Sequence, residues 1–166
     1  MSFINNAEDN ISLFPHDRCI HHFVEEHALL RGSSTALIDR GKVFSYATVN
    51  ERANQIAHYI HSLHLDKESI ISVLFDRSAE MICVMLGILK AGHAFLAIDP
   101  DYPIDRIHYV LNDSASPLLF SRSGFLDLVP TSMNSVFLLD QRIDELERYP
   151  KNNINISLSL EKFILK

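Results

Sequence analysis

Residues 89–103, Leu-Lys-Ala-Gly-His-Ala-Phe-Leu-Ala-Ile-Asp-Pro-Asp-Tyr-Pro, restrict what this chain can fold into more than any other stretch. Lys90 and Gly92 end a helix, because a cation suits the carbonyl end of the helix dipole and glycine accepts the left-handed exit conformation. Ala94 to Ile98 then read as a short buried strand. Asp99-Pro100-Asp101-Tyr102-Pro103 turns the chain into another helix with proline near its first position. A strand framed by two helices predicts a parallel sheet.

The remaining sequence repeats this rhythm. Ile20, Phe23, Val24 and Ala28 recur at helical spacing before Gly32, and Ala36–Asp39 with Val43–Ser45 form a small hairpin around Arg40-Gly41-Lys42. Tyr46, Val49, Ala53, Ile56, Ala57, Ile60 and Leu63 mark the apolar stripe of a long helix, with Ser45 as its N-cap and Asn54, Gln55 and His58 on other faces. Ile70–Phe75 reads as a strand covered on both faces, and Ser78–Lys90 as a largely buried helix. Helix 104–111, strand 117–121, a turn at 125–129, strand 135–139 and a polar helix at 141–148 continue the pattern. Ile154, Ile156, Leu158 and Leu160 alternate with polar residues, as in an edge strand. The fold class is α/β, a mostly parallel sheet flanked by helices. The expected organisation is a polar N-terminal extension (1–17), one α/β unit (18–149) and a strand-like or irregular tail (150–166).

With 166 residues, 47% of them hydrophobic, the chain is about one domain long and can bury a core. A formal charge of -6 and no clustered basic patch argue against nucleic-acid binding. The start lacks the pattern of a secretory signal, and Met81–Leu89 is far short of the ~20 apolar residues that cross a membrane. Cys19 and Cys83, far apart in sequence, do not suggest a disulfide framework, which fits a cytoplasmic location.

Asp39, Asp76, Asp99 and Asp140 each follow a strand, so they could gather at the carboxyl edge of the sheet. There they would serve a magnesium site or a receiver-like phosphoacceptor. The simpler reading has Asp76 and Asp140 capping the helices they precede and Asp99 shaping a turn. His58, His61 and His64 fan over about a third of a helix circumference. Neither they nor Cys19-x-His21-His22 match a zinc-ligand spacing, and His93 at the helix-to-strand turn reads as positional. The five glycines form neither phosphate-binding loop pattern. No catalytic, cofactor-binding or metal residue is assigned.

Two motifs point to a family. Phe44-Ser45-Tyr46-Ala47-Thr48-Val49-Asn50-Glu51-Arg52-Ala53-Asn54 resembles the first core motif of the amino-acid-activating adenylation domains of nonribosomal peptide synthetases, and residues 89–103 resemble the second, L-K-A-G-x-A-Y-x-P-x-D-P-x-Y-P. Asp76-Arg77-Ser78-Ala79-Glu80-Met81 and Arg106 are similar to the family as well. The motif residues here are Ser45, Tyr46, Asn50, Arg52, Ala53, Asn54, Lys90, Ala91, Gly92, Asp99, Pro100, Tyr102, Pro103 and Arg106, all with structural roles. Ala97 and Phe95 stand where the family has proline and tyrosine. Thr48 stands for glutamate, forfeiting a capping-box bond of about 1 kcal/mol or less.

The resemblance implies the opening, incomplete segment of the N-terminal subdomain of an adenylate-forming ligase used in secondary-metabolite synthesis. In the complete family domain, an amino acid and ATP give aminoacyl-AMP and pyrophosphate, and the aminoacyl group passes to a carrier-protein thioester. The ATP and magnesium site, the amino-acid pocket and the catalytic lysine come later in the family's sequence, so this segment alone is expected to be inactive. The resemblance also implies two possible partners, a separately encoded remainder of the synthetase and an MbtH-like helper touching Tyr102, Ile104 and Arg106. A non-catalytic interaction module is the alternative reading.

Overall fold

In the computed structural model, which describes residues 18–154 and Ile156, the elements follow the order of apolar runs and helical stripes. Helix α1 (Ile20–Arg31) leads into an antiparallel ribbon of β1 (Thr35–Asp39) and β2 (Lys42–Ser45). The ribbon's turn places Arg40 and Gly41 at φ 49° and 80°, the mirror-image geometry that suits strand twist and that glycine accepts without strain. Helix α2 (Tyr46–Ser62) begins at once, because the Ser45 hydroxyl accepts from the Thr48 N–H at 3.2 Å. Then come β3 (Ile70–Leu74), α3 (Ala79–Lys90), β4 (Ala94–Ile98), α4 (Ile104–Asp113), β5 (Leu119–Ser121), a 3-10 turn (Ser123–Leu128), β6 (Val136–Leu138) and α5 (Ile143–Leu146).

Strands β3 to β6 form one parallel sheet in the order β4-β3-β5-β6. In register, Val73, Phe120 and Phe137 make a row on one face, and Tyr59 of α2 packs over it with ring centroids 4.6 Å from Phe137 and 6.2 Å from Phe120. Ile71, Ile56, Ile60, Val84 and Ile88 complete this main core. Leu74, Leu119 and Ile98 belong to a second core with Ile107 and Leu111 of α4. Helices on both faces explain why β3 and β5 lack a polar alternation. Enclosing each such Phe or Ile contributes about 1.5–3 kcal/mol.

Two expectations change. Strand β4 is buried only at Ile98: Ala97 is exposed and Ala94 to Leu96 are half-buried, because the strand order leaves β4 at the rim. The polar helix expected at 141–148 is a single turn, Ile143–Leu146. The extension 1–17, Asn155 and residues 157–166 lie outside the described residues, and with them most of the alternating tail. Ile154 packs against the main core.

Candidate functional site

The chain leaves β3 toward α3 on the Tyr59 face and leaves β5 through the 3-10 turn, whose Phe125 and Leu128 pack with the α4 core. Connections that diverge between neighbouring strands open a crevice at the carboxyl edge, where open α/β sheets bind ligands. Here protein groups already engage the side chains at that edge. Asp76 pairs with Arg40 and, at 3.2 Å, with Arg122. Arg122 also pairs with Glu80 and lies 5.7 Å over the Phe75 ring. Asp39 Oδ2 accepts from the Ala79 N–H at 3.0 Å, occupying a donor at the start of α3.

This corrects the capping assignments. Ser78, not Asp76, caps α3, through Met81 N–H to Ser78 Oγ at 3.3 Å. Asp140 does not cap the following turn but reaches back to accept from the Ser123 N–H at 2.9 Å and from the Ser123 hydroxyl. Its slight burial works the other way, yet these Ser123 bonds hold the Asp140 carboxyl below the usual carboxylate range. Asp99 does shape its turn, accepting from the Asp101 N–H at 3.0 Å. The four aspartates are therefore dispersed among caps, turns and arginine pairs, and a receiver-like carboxylate cluster is not formed among the described residues.

The two sequence motifs meet elsewhere, in a buried polar node behind α2. Lys90, its side chain 0% exposed, reaches Glu25 of α1 and lies 3.5 Å from Asn153 Oδ1. The same oxygen accepts from Asn50 Nδ2 at 2.9 Å and Asn54 Nδ2 at 3.0 Å, and Asn54 also donates to the Lys151 carbonyl at 2.7 Å. Residues 149–153 run as a strap along α2, where Gln55 donates to the Tyr149 carbonyl at 3.4 Å and a His58 ring nitrogen meets the Asn152 carbonyl at 3.1 Å. Side chains thus take the place of a neighbouring strand for backbone that cannot be left unpaired. Burial lowers the Lys90 pKa, with the Glu25 carboxylate opposing that shift. Sequence reasoning missed Glu25 and Asn153, which carry no local signal.

The other motif residues build the scaffold. Tyr46 stacks edge-on to His27 at 5.1 Å, Arg52 lies 5.5 Å over Phe44, and Ala53 is fully buried where α2 crosses α3 at Gly87. Ala91 is the α3 C-cap, and Gly92 takes φ 81° as it leaves the helix. Pro100 lies in the turn and Pro103 directly precedes α4. Thr48 Oγ1 lies 3.0 Å from Ser45 Oγ, a contact between hydroxyls that leaves the capping-box bond to the Ser45 N–H unmade. Tyr102, Ile104 and Arg106 are exposed together, the Arg106 guanidinium 4.4 Å over the Tyr102 ring. His61 and His64 are exposed, with rings 6.4 Å apart. Cys19, His21 and His22 converge at the start of α1. Burial and the neighbouring His22 push His21 down to about 4, so its ring is neutral. No described helix is long and apolar enough to cross a membrane.

A family model described as AMP-binding enzyme matches residues 24–158. The chain is 40% identical to a linear gramicidin synthase of Brevibacillus parabrevis over 126 residues, 76% of this chain and 2% of that protein. It is 33% identical to tyrocidine synthase 3 of the same organism over 135 residues, 81% of this chain and 2% of that protein. Among solved structures, the anthranilate CoA ligase AuaEII in complex with anthranoyl-AMP superposes with a TM-score of 0.77 at 21% identity, covering 89% of this chain and 30% of that one. The AMPPNP-bound nonribosomal peptide synthetase FmoA3 gives 0.75 at 18% identity, covering 83% and 15%. At such identities the structures show a shared fold, of which this chain spans a minor part.

Proposed function

Since the chain belongs to the AMP-binding enzyme family and is part of a nonribosomal peptide synthetase adenylation domain, we propose that it serves as the structural opening of that domain's N-terminal subdomain. In the complete domain an amino-acid carboxylate displaces pyrophosphate from ATP to give aminoacyl-AMP, and a carrier-protein thiol then takes the aminoacyl group. ATP and magnesium belong to that larger assembly, which works in the cytoplasm. The described residues supply sheet, helices and polar node, while phosphate-gripping and substrate-reading groups come from elsewhere in the domain. The observation that carries this reading is the carboxyl edge, where Asp39, Asp76 and Asp140 are each engaged by protein donors. Charge stabilisation of a transferring phosphoryl group needs donors aimed at it, and Arg122 is committed to Asp76 and Glu80. Pyrophosphate exchange with an amino-acid panel tests this: the chain alone should be silent, and ATP-dependent exchange by it would overturn the proposal.

A second reading, an interaction module for an MbtH-like helper or a separately encoded remainder of the synthetase, draws support from the exposed Tyr102, Ile104 and Arg106 at the start of α4. Under it, Ile104→Asp and Tyr102→Ala should abolish co-purification with a co-expressed helper. Unchanged co-purification would remove that surface from consideration.

A further inference from the structure

The adenylation reading leaves one cluster of metal-ligating side chains without a role. Cys19 is the N-cap residue of α1, and His21 and His22 are the second and third residues of the helix. One ligand atom from each, the Cys19 Sγ and a ring nitrogen of each histidine, lies within 4.8 Å of the other two. No other group of three His, Cys, Asp or Glu side chains among the described residues is so placed. The extended backbone at Cys19, φ -81° and ψ 158°, makes this possible. Side chains fan apart by ~100° per residue on a helix, but an N-cap side chain folds back over the first turn. Spacing along the sequence does not reveal that fold-back, which is why Cys19-x-His21-His22 matches no zinc pattern.

The histidines supply a second observation. His21 is only 4% exposed, and its Nδ1 is buried without a hydrogen-bond partner among the described residues. A polar nitrogen held that way is costly unless something comes to it. His22 stands edge-on to it with ring centroids 4.3 Å apart, and His22 Nδ1 accepts from the Cys19 N–H at 3.1 Å. Glu25, one turn further on, is engaged by Lys90 and adds no fourth ligand.

We propose that Cys19, His21 and His22 form a binding site for a thiophilic transition-metal ion of the zinc class, with the fourth position left to water or an outside donor. One thiolate and two imidazoles suit such an ion better than magnesium or calcium, which favour oxygen. Binding releases the thiol proton to solvent. If His22 ligates through Nδ1, the lone pair that accepts from the Cys19 N–H goes to the metal instead, exchanging a cap bond for a coordinate bond.

Cobalt(II) titration of the full chain, stripped with chelator and kept reduced, provides the test. A one-to-one complex with a near-ultraviolet thiolate-to-cobalt band, displaced by zinc, is expected. Cys19→Ser removes the thiolate but keeps a preferred N-cap residue, so its circular dichroism should match the parent while the band disappears. His21→Gln should weaken zinc binding by roughly tenfold or more, whereas replacing His58, His61 and His64 together should leave it unchanged. Absence of a thiolate band in the parent chain, or a band that survives Cys19→Ser, would overturn the proposal.

Discussion

Lys90 brings an ammonium group into the interior with a single carboxylate partner, Glu25, whose side chain keeps 20% of its surface in water. Removing one member of such a pair strands the other, while replacing both by apolar groups of similar size can be close to neutral. Glu25→Ala should therefore cost about 3 kcal/mol in urea unfolding, and Lys90→Met with Glu25→Leu should return to within about 1 kcal/mol of the parent. His93 is a second buried base, shifted in the same direction as Lys90. Its ring is buried and its Nδ1 unpartnered among the described residues, so burial first and His61 second lower its pKa from 6.5. The unfolded chain then binds the proton more readily, and stability falls as pH drops below about 6.5 toward the lower folded value. Urea midpoints in metal-free buffer at pH 7.5 and 5 should differ less for His93→Gln than for the parent. His21, lowered to about 4, acts in the same direction, so part of the slope remains.

At the scale of elements, the α2–α3 crossing depends on a missing side chain. A Cβ on Gly87 would sit 2.6 Å from Ile56 Cγ2, 2.7 Å from Ile56 Cβ and 2.9 Å from the Ala53 carbonyl oxygen. Gly87→Ala gains up to about 1 kcal/mol of helix propensity but overpacks a contact that includes backbone, a cost of about 1–3 kcal/mol. Thermal unfolding should show net destabilisation, and Ile56→Val should relieve little of it because the Cβ contact persists. These elements were legible because periodicity is local: the stripe of α2, the apolar run of β3 and the Gly92 exit each declare themselves within a few residues. What stayed hidden involves partners far apart in sequence. Asn54 and Gln55 stand off the apolar stripe yet are buried, because the strap covers them. Asp76 and Asp140 sit where caps belong, but arginines from other elements and Ser123 engage them instead. The rim position of β4 follows from strand order, which no short window of sequence contains.

For the whole molecule, Asn153 is the residue through which α2, α3 and the strap communicate. Its Oδ1 serves Asn50, Asn54 and Lys90 at once, so Asn153→Ala takes that acceptor from the Asn50 amide and leaves Asn54 with the Lys151 carbonyl alone and Lys90 with Glu25 alone. A loss of about 1–3 kcal/mol is expected from chemical denaturation. Hydrogen exchange should show the loosening along the strap rather than in β3. The distance of Asn153 from its partners also sets a clock. Synthesis of Lys90, with Glu25 already made, precedes that of Asn153 by 63 residues. At ~5–20 residues per second, the ribosome delivers the missing acceptor about 3–13 s later. Until then any seam formed between α2 and α3 is open on its polar side, where a chaperone or any extended segment rich in carbonyls could settle before the protein's own strap arrives.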